Sequence, residues 1–172
     1  ETSFTTIAIA PTLTTTAASS ITKYAASAGG TITSNGGSVI TASGICWSTT
    51  ATPTTSDFKT TDGTTTGTFT SSITGLTAGT TYYVRAYGTQ GFGTTYGNQI
   101  SFTTLPLTIP TLTTNVAENV SNFSAVSGGA ISSDGGASIT AKGVCWSTSA
   151  NPTINNNFTN DGTGNGTYVS NI

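Results

Sequence analysis

Residues 11–73 read PTLTTTAASS…GICWSTTATPT…TDGT…GTFTSSI, and residues 110–172 read PTLTTNVAEN…GVCWSTSANPT…NDGT…GTYVSNI, at a constant offset of 99 residues. Cys46 falls on Cys145, Trp47 on Trp146, Pro53 on Pro152 and Asp62 on Asp161, with no gap across the window. A chain that repeats its apolar positions and its turns in step is expected to fold each repeat as the same unit. The first repeat continues past Ile73 through GLTAGTTYYVRAYGTQGFGTTYGNQISFTT, whereas the second stops at Ile172, and the opening ETSFTT matches the end of a repeat, QISFTT at residues 99–104. The expected organisation is an N-terminal extended segment at 1–10, a complete repeat at 11–104, a linker at 105–109 and an incomplete second repeat at 110–172.

Within the first repeat, runs of about 5 to 8 residues alternate with Gly, Asn, Asp and Pro, and no apolar residues recur at helical spacing. Strands are expected near residues 13–16, 21–32, 39–48, 67–73, 81–87 and 98–104, with 52–63 a loop holding a short strand. Ser34-Asn35-Gly36-Gly37 and its counterpart Ser133-Asp134-Gly135-Gly136 read as hairpins, since Asn-Gly and Asp-Gly supply the positive φ of tight turns. Short strands at this spacing predict an all-β fold of two packed antiparallel sheets. Thr makes up roughly a quarter of the chain, and its β-branched hydroxyl side chain suits the wet face of a sheet without adding charge. Regular apolar positions, with Trp, Tyr and Phe at repeated sites, argue for a packed core over disorder.

Several classes of function are excluded by what is missing. Only 6% of the 172 residues are charged and the net charge is −2, which offers no electrostatic footprint for nucleic acid. No apolar run approaches the roughly 20 residues of a membrane-spanning helix, so no membrane insertion is expected. The first residues carry neither an initiator Met nor a signal peptide, which points to a mature product or a fragment. Without His and with two Cys, neither a Ser/His nor a Cys/His nucleophile pair can be built, and no cluster has zinc-ligand spacing. The six acidic residues stand singly, so the chain is expected to be no enzyme, with no cofactor and no metal. Asp62-Gly63-Thr64 and Asp161-Gly162-Thr163 read as turns, because a calcium loop needs several oxygen ligands at short spacing. Asn119, Asn122, Asn157 and Asn165 stand in N-x-Ser/Thr triplets, as expected by chance in a chain this rich in Thr.

At Gly75-Leu76-Thr77-Ala78-Gly79-Thr80-Thr81-Tyr82 the chain resembles the fibronectin type III family, with Ala78 in place of the Pro of its Leu-x-Pro-Gly-Thr-x-Tyr pattern. With GxCWST, TPT/NPT and TDGT, the whole is similar to fibronectin-like repeats of secreted and surface proteins of Bacteroidetes-type bacteria. The resemblance implies tandem immunoglobulin-like sandwiches, an extracellular or cell-surface location, and a spacer or adhesive stalk. It also places Tyr82 at the tyrosine corner, with the ring in the core and the hydroxyl bonded to nearby main chain. The family's core Trp belongs on the second strand, whereas here Trp47 is on the third and the second carries Tyr24 and Phe123.

By the period-2 rule, Tyr82, Val84 and Ala86 point inward, leaving Tyr83, Arg85 and Tyr87 outward. Trp47 on the neighbouring strand is expected to join them in an outward aromatic stripe, either a contact surface for a domain or a sugar, or cross-strand pairs that stabilise the sheet. Cys46 and Cys145, one per repeat at the same place, are expected to be buried, free and inert. Phe4, Ile7 and Ile9 have no place inside the first sandwich, which holds its own equivalent at 101–104. Residues 2–9 are therefore a candidate donor strand for the incomplete second repeat of another subunit, beside Cys145 to Ser147 or its neighbours. Two functions follow: a structural subunit of an extracellular fibre or stalk whose partner is a copy of itself, and an accessory module that grips a glycan or cell-surface component.

Overall fold

Among residues 9–172, which the computed structural model describes, every regular element is a strand. The chain divides into two compact units between Pro106 and Leu107. The expected linker is itself divided: the Leu105 N–H donates to the Thr22 carbonyl at 3.1 Å in the first unit, and the Thr108 N–H to the Gly135 carbonyl at 2.9 Å in the second.

The first unit comprises β1 (Thr12–Ser19), β2 (Ala25–Ser34), β3 (Ala42–Ser48), β4 (Phe58–Lys59), β5 (Gly67–Thr74), β6 (Thr81–Gln90), β7 (Gly93–Tyr96) and β8 (Ile100–Thr103). One antiparallel sheet has the order β1-β2-β5; the other has β4-β3-β6-β7, with β8 also on β6. Ala26 and Ala28 of β2 and Ile73 of β5 share one buried cluster with Ile45, Trp47, Tyr82, Val84 and Phe102 of the other sheet. Two antiparallel sheets thus close on a common core, as in a β-sandwich. A smaller cluster of Leu13, Ile32, Ile40 and Ala86 fills one end.

β6 is the hub of its sheet. It pairs with β3 from Ala42↔Thr89 to Ser48↔Tyr83, with β8 from Thr81↔Thr103 to Val84↔Ile100, and with β7 from Tyr87↔Tyr96 to Gln90↔Gly93. The hairpin to β7 has no counterpart among the strands read from the sequence, because Gly88, Gly91, Gly93 and Gly97 interrupt the side-chain alternation there.

The second unit comprises β9 (Thr111–Thr114), β10 (Val126–Ser133), β11 (Cys145–Trp146), β12 (Asn157–Phe158) and β13 (Gly166–Asn171). Its registers reproduce those of the first at the same offset of 99. Leu112↔Ile131 answers Leu13↔Ile32, Ile131↔Gly166 answers Ile32↔Gly67, and Trp146↔Asn157 answers Trp47↔Phe58. Even the left-handed non-glycine residues recur, with Asn119 (φ 51) matching Ser20 (φ 49) and Asn151 (φ 57) matching Thr52 (φ 59).

Candidate functional site

An antiparallel sheet face stays dry only while another layer covers it, and the two units differ in this respect. In the first, Leu13 is 8% exposed; its counterpart Leu112 is 53% exposed. Pro11, Thr15, Cys46 and Trp47 are buried, whereas Pro110 and Thr114 are exposed and Cys145 and Trp146 half-buried. What covers these positions in the first unit is β6 with its neighbours. Ala86 packs on Leu13, Ile32 and Ile40. The Ala86 N–H donates to Thr15 Oγ1 at 2.9 Å, and the Thr55 N–H to the Tyr96 hydroxyl at 3.0 Å. The Gln90 amide donates to the Ser38 carbonyl at 3.0 Å and also to the carbonyl of Asn35, tying β6 to the hairpin turn.

In the second unit the corresponding place is a groove of about 500 Å³, lined by Leu112, Ile131, Ile139, Val144, Cys145 and Tyr168 among others. Ile131, Val144 and Tyr168 form its buried floor. β11 pairs with β12 along one edge, and no strand among the described residues pairs with the other. Tyr168 reaches over that side, its hydroxyl donating to the Gly143 carbonyl at 3.0 Å. Its own ionisation is pushed up, first by burial and then by the charges of Asp161 and Cys145.

The residues singled out from the sequence divide into those that face outward and those that do not. Tyr82 is buried in the core, and its hydroxyl accepts the Thr77 N–H at 3.0 Å. Tyr83 and Arg85 are half-buried on the outer face. The Arg85 guanidinium lies 4.5 Å from the centre of the Tyr96 ring and its Nε donates to the Gly97 carbonyl at 3.2 Å. The other two expectations need correction. Trp47 does not join the outward stripe: it stands opposite Val84, an inward residue, and is 9% exposed in the main core. It therefore supplies the core indole from the third strand, while Tyr24 and Phe123 are exposed and precede β2 and β10. Tyr87 does point outward, but the segment after β4 covers it to 2% exposure, and its hydroxyl donates to the Thr60 carbonyl at 2.6 Å. No continuous aromatic platform results.

Cys46 shares the outward face with Arg85, opposite it in register, yet is fully covered by the loop at Pro53, whose carbonyl its thiol meets at 3.5 Å. Burial pushes its pKa up to about 11, against the smaller lowering effect of Arg85. Cys145, expected to be buried, is only half-buried, because nothing described takes the place of β6 beside it; both thiols are free.

Phe4 and Ile7 lie outside the described residues, while Ile9 is 62% exposed and lines a shallow pocket with Phe92. The register bears on the donor-strand expectation all the same. Residues 3–6 match 101–104, and in the first unit that strand pairs with β6 alone, never with β3. The partner of Cys46–Ser48 is Tyr83–Arg85. A segment of the β8 type thus has its place only once a strand of the β6 type is seated.

The sequence reading missed one polar device. Asp62 does sit at a turn, but its carboxylate accepts Ser71 Oγ at 2.6 Å and Thr60 Oγ1 at 2.6 Å. Asp161 does the same with Ser170 at 2.5 Å and Thr159 at 2.6 Å. Thr60 and Thr159 also accept the N–H of Ile45 and Val144, so each network ties a loop to both sheets. The recurrence of Thr-x-Asp followed nine residues later by Ser was the available signal. No family model matches the chain, and no curated protein matches it.

Proposed function

We propose that this chain is a non-enzymatic structural protein: tandem immunoglobulin-like, fibronectin type III-like β-sandwich repeats serving as a subunit of an extracellular fibre or surface stalk joined head to tail. The observation that carries this reading is recurrence: the strand registers, the left-handed turn residues and the Asp–Ser hydrogen bond of the first unit return in the second at an offset of 99 residues, as in a chain built from repeated modules. A contact between unlike surfaces repeats indefinitely when its rotation does not close, and so produces a filament.

Four residues expected to face outward were the basis of the glycan-binding alternative; Trp47 lies in the core and Tyr87 is covered. Sedimentation of the chain over rising concentration tests the proposal. Open-ended growth in mass supports it; a monomer at every concentration that binds a glycan saturably would replace it with the alternative.

A further inference from the structure

We infer that the connection between the two units is a clasped hinge: Leu107 is the one residue that neither unit holds, and the glycine turn at 133–136 is the clasp that fixes the chain directly after it. This applies to a single chain, whether or not chains polymerise. The first unit keeps its hold through Leu105. The Leu105 N–H donates to the Thr22 carbonyl at 3.1 Å, and the Leu105 carbonyl accepts the Gly79 N–H at 3.0 Å. Thr104 before it is buried, its hydroxyl donating to the Thr77 carbonyl at 2.6 Å. Pro106 follows, with φ fixed by its ring, and it restricts Leu105 to extended backbone.

The second unit takes hold at Thr108. The Thr108 N–H donates to the Gly135 carbonyl at 2.9 Å, and its hydroxyl to the same oxygen at 3.4 Å. The turn meets this segment through main chain alone. A Cβ on Gly135 would collide with the Thr108 carbonyl and stand 3.0 Å from that of Ile109, so only glycine lets the two backbones approach. Ile109 is in turn restricted by Pro110. The same device serves the first unit, where a Cβ on Gly36 would collide with the Ile9 carbonyl and stand 3.0 Å from that of Ala10. The clasp is thus a feature of the repeat, present in the unit whose two sheets close on one core. Between the two holds, Leu107 makes no hydrogen bond among the described residues and is half exposed. The reach of a linker depends on how many of its residues are free. With the clasp shut that is Leu107; with it open the free stretch runs from 107 to 110, ahead of β9. The turn therefore decides whether the connection bends at a point or lengthens into a tether.

The test follows amide exchange, backbone relaxation and limited proteolysis in the full chain and in two variants. In the wild type the Thr108 amide should be as rigid and as protected as those of β10, Leu107 alone should be mobile, and no cut should fall between 105 and 110. Gly135→Ala should speed exchange at Thr108 by about tenfold or more and admit cleavage at 107–110. Insertion of Gly-Ser-Gly-Ser after Leu107 leaves the clasp in place, so cleavage should appear in the insert while Thr108 stays protected. A wild-type Thr108 as mobile as Leu107, cleavage of the wild type between 105 and 110, an insertion that unlocks Thr108, or a Gly135→Ala chain with Thr108 unchanged would each overturn the inference. The wild-type and insertion results decide the matter whatever Gly135→Ala does to the rest of the unit. Filament formation bears on none of these readings, so the fibre and the clasp stand or fall separately.

Discussion

The Asp62 carboxylate accepts the hydroxyl of Ser71 at 2.6 Å, and Ser71 is 2% exposed on the strand that closes the opposite sheet. A hydroxyl buried in a sheet needs an acceptor, and here it is a charged one, reached from a loop that also holds Thr60. Replacing Asp62 by Ala should cost about 1–3 kcal/mol, since it leaves the Ser71 hydroxyl without its charged acceptor. In a double-mutant cycle, Asp62→Ala and Ser71→Ala should couple by about 0.5–3 kcal/mol. Additive losses in denaturant unfolding would show that the contact contributes nothing.

Tyr82 holds the turn before β6 through its hydroxyl. Tyr82→Phe should lower the stability of the first unit by about 1 kcal/mol, the net value of one hydrogen bond, whereas Tyr82→Ala should cost about 3–5 kcal/mol through the cavity it leaves. Thermal unfolding of the two variants checks both figures, and a Phe variant as damaged as the Ala variant would contradict the assignment of the ring to the core and the hydroxyl to the turn.

The two thiols should behave differently. Cys145 is expected to react with a thiol reagent in the folded chain, and Cys46 only as the first unit opens, with Cys46→Ala and Cys145→Ala variants identifying each rate. Stability also follows pH through Cys46. Its pKa is raised from 9.0 to about 11 by burial, so between those values the native state keeps a proton that the unfolded chain loses. The contribution is fully present below pH 9 and declines as pH rises toward 11, by about 3 kcal/mol at most. The difference between wild type and Cys46→Ala isolates this slope from that of other groups; parallel curves would contradict it.

Gly36 and Gly37 are adjacent and both left-handed, at φ 60 and 83, but only Gly36 lies against the main chain of Ile9 and Ala10. Gly37→Ala should cost about 1–2 kcal/mol, the penalty of an L-residue in that region. Gly36→Ala should cost more, about 2–4 kcal/mol, because its Cβ would also displace the segment that enters the repeat. Equal losses in the two variants would mean that the entering segment does not rest on the turn.

Strand positions and turns were readable because they depend on local chemistry: the Asn-Gly and Asp-Gly hairpins, the alternation of Tyr82, Val84 and Ala86, and the 99-residue period are visible without a fold. The faces of β3 were not. Ile45 and Trp47 face one way and Cys46 the other, but a strand buried on both sides, as all residues from Ser43 to Trp47 are, carries no alternation to read. Covering of Tyr87 by the segment at Thr60, and of Cys46 by the loop at Pro53, are tertiary events with no local signature. The hydrogen bond from Ser71 to Asp62 joins residues nine apart through a loop, and only its recurrence in the second repeat could have marked it.

Electron microscopy of the chain at rising concentration tests the central claim most directly. The account predicts filaments in which every subunit meets the next through the same pair of unlike surfaces, all in one orientation. Particles that stay single at every concentration, or pairs that close on a two-fold axis, would contradict it.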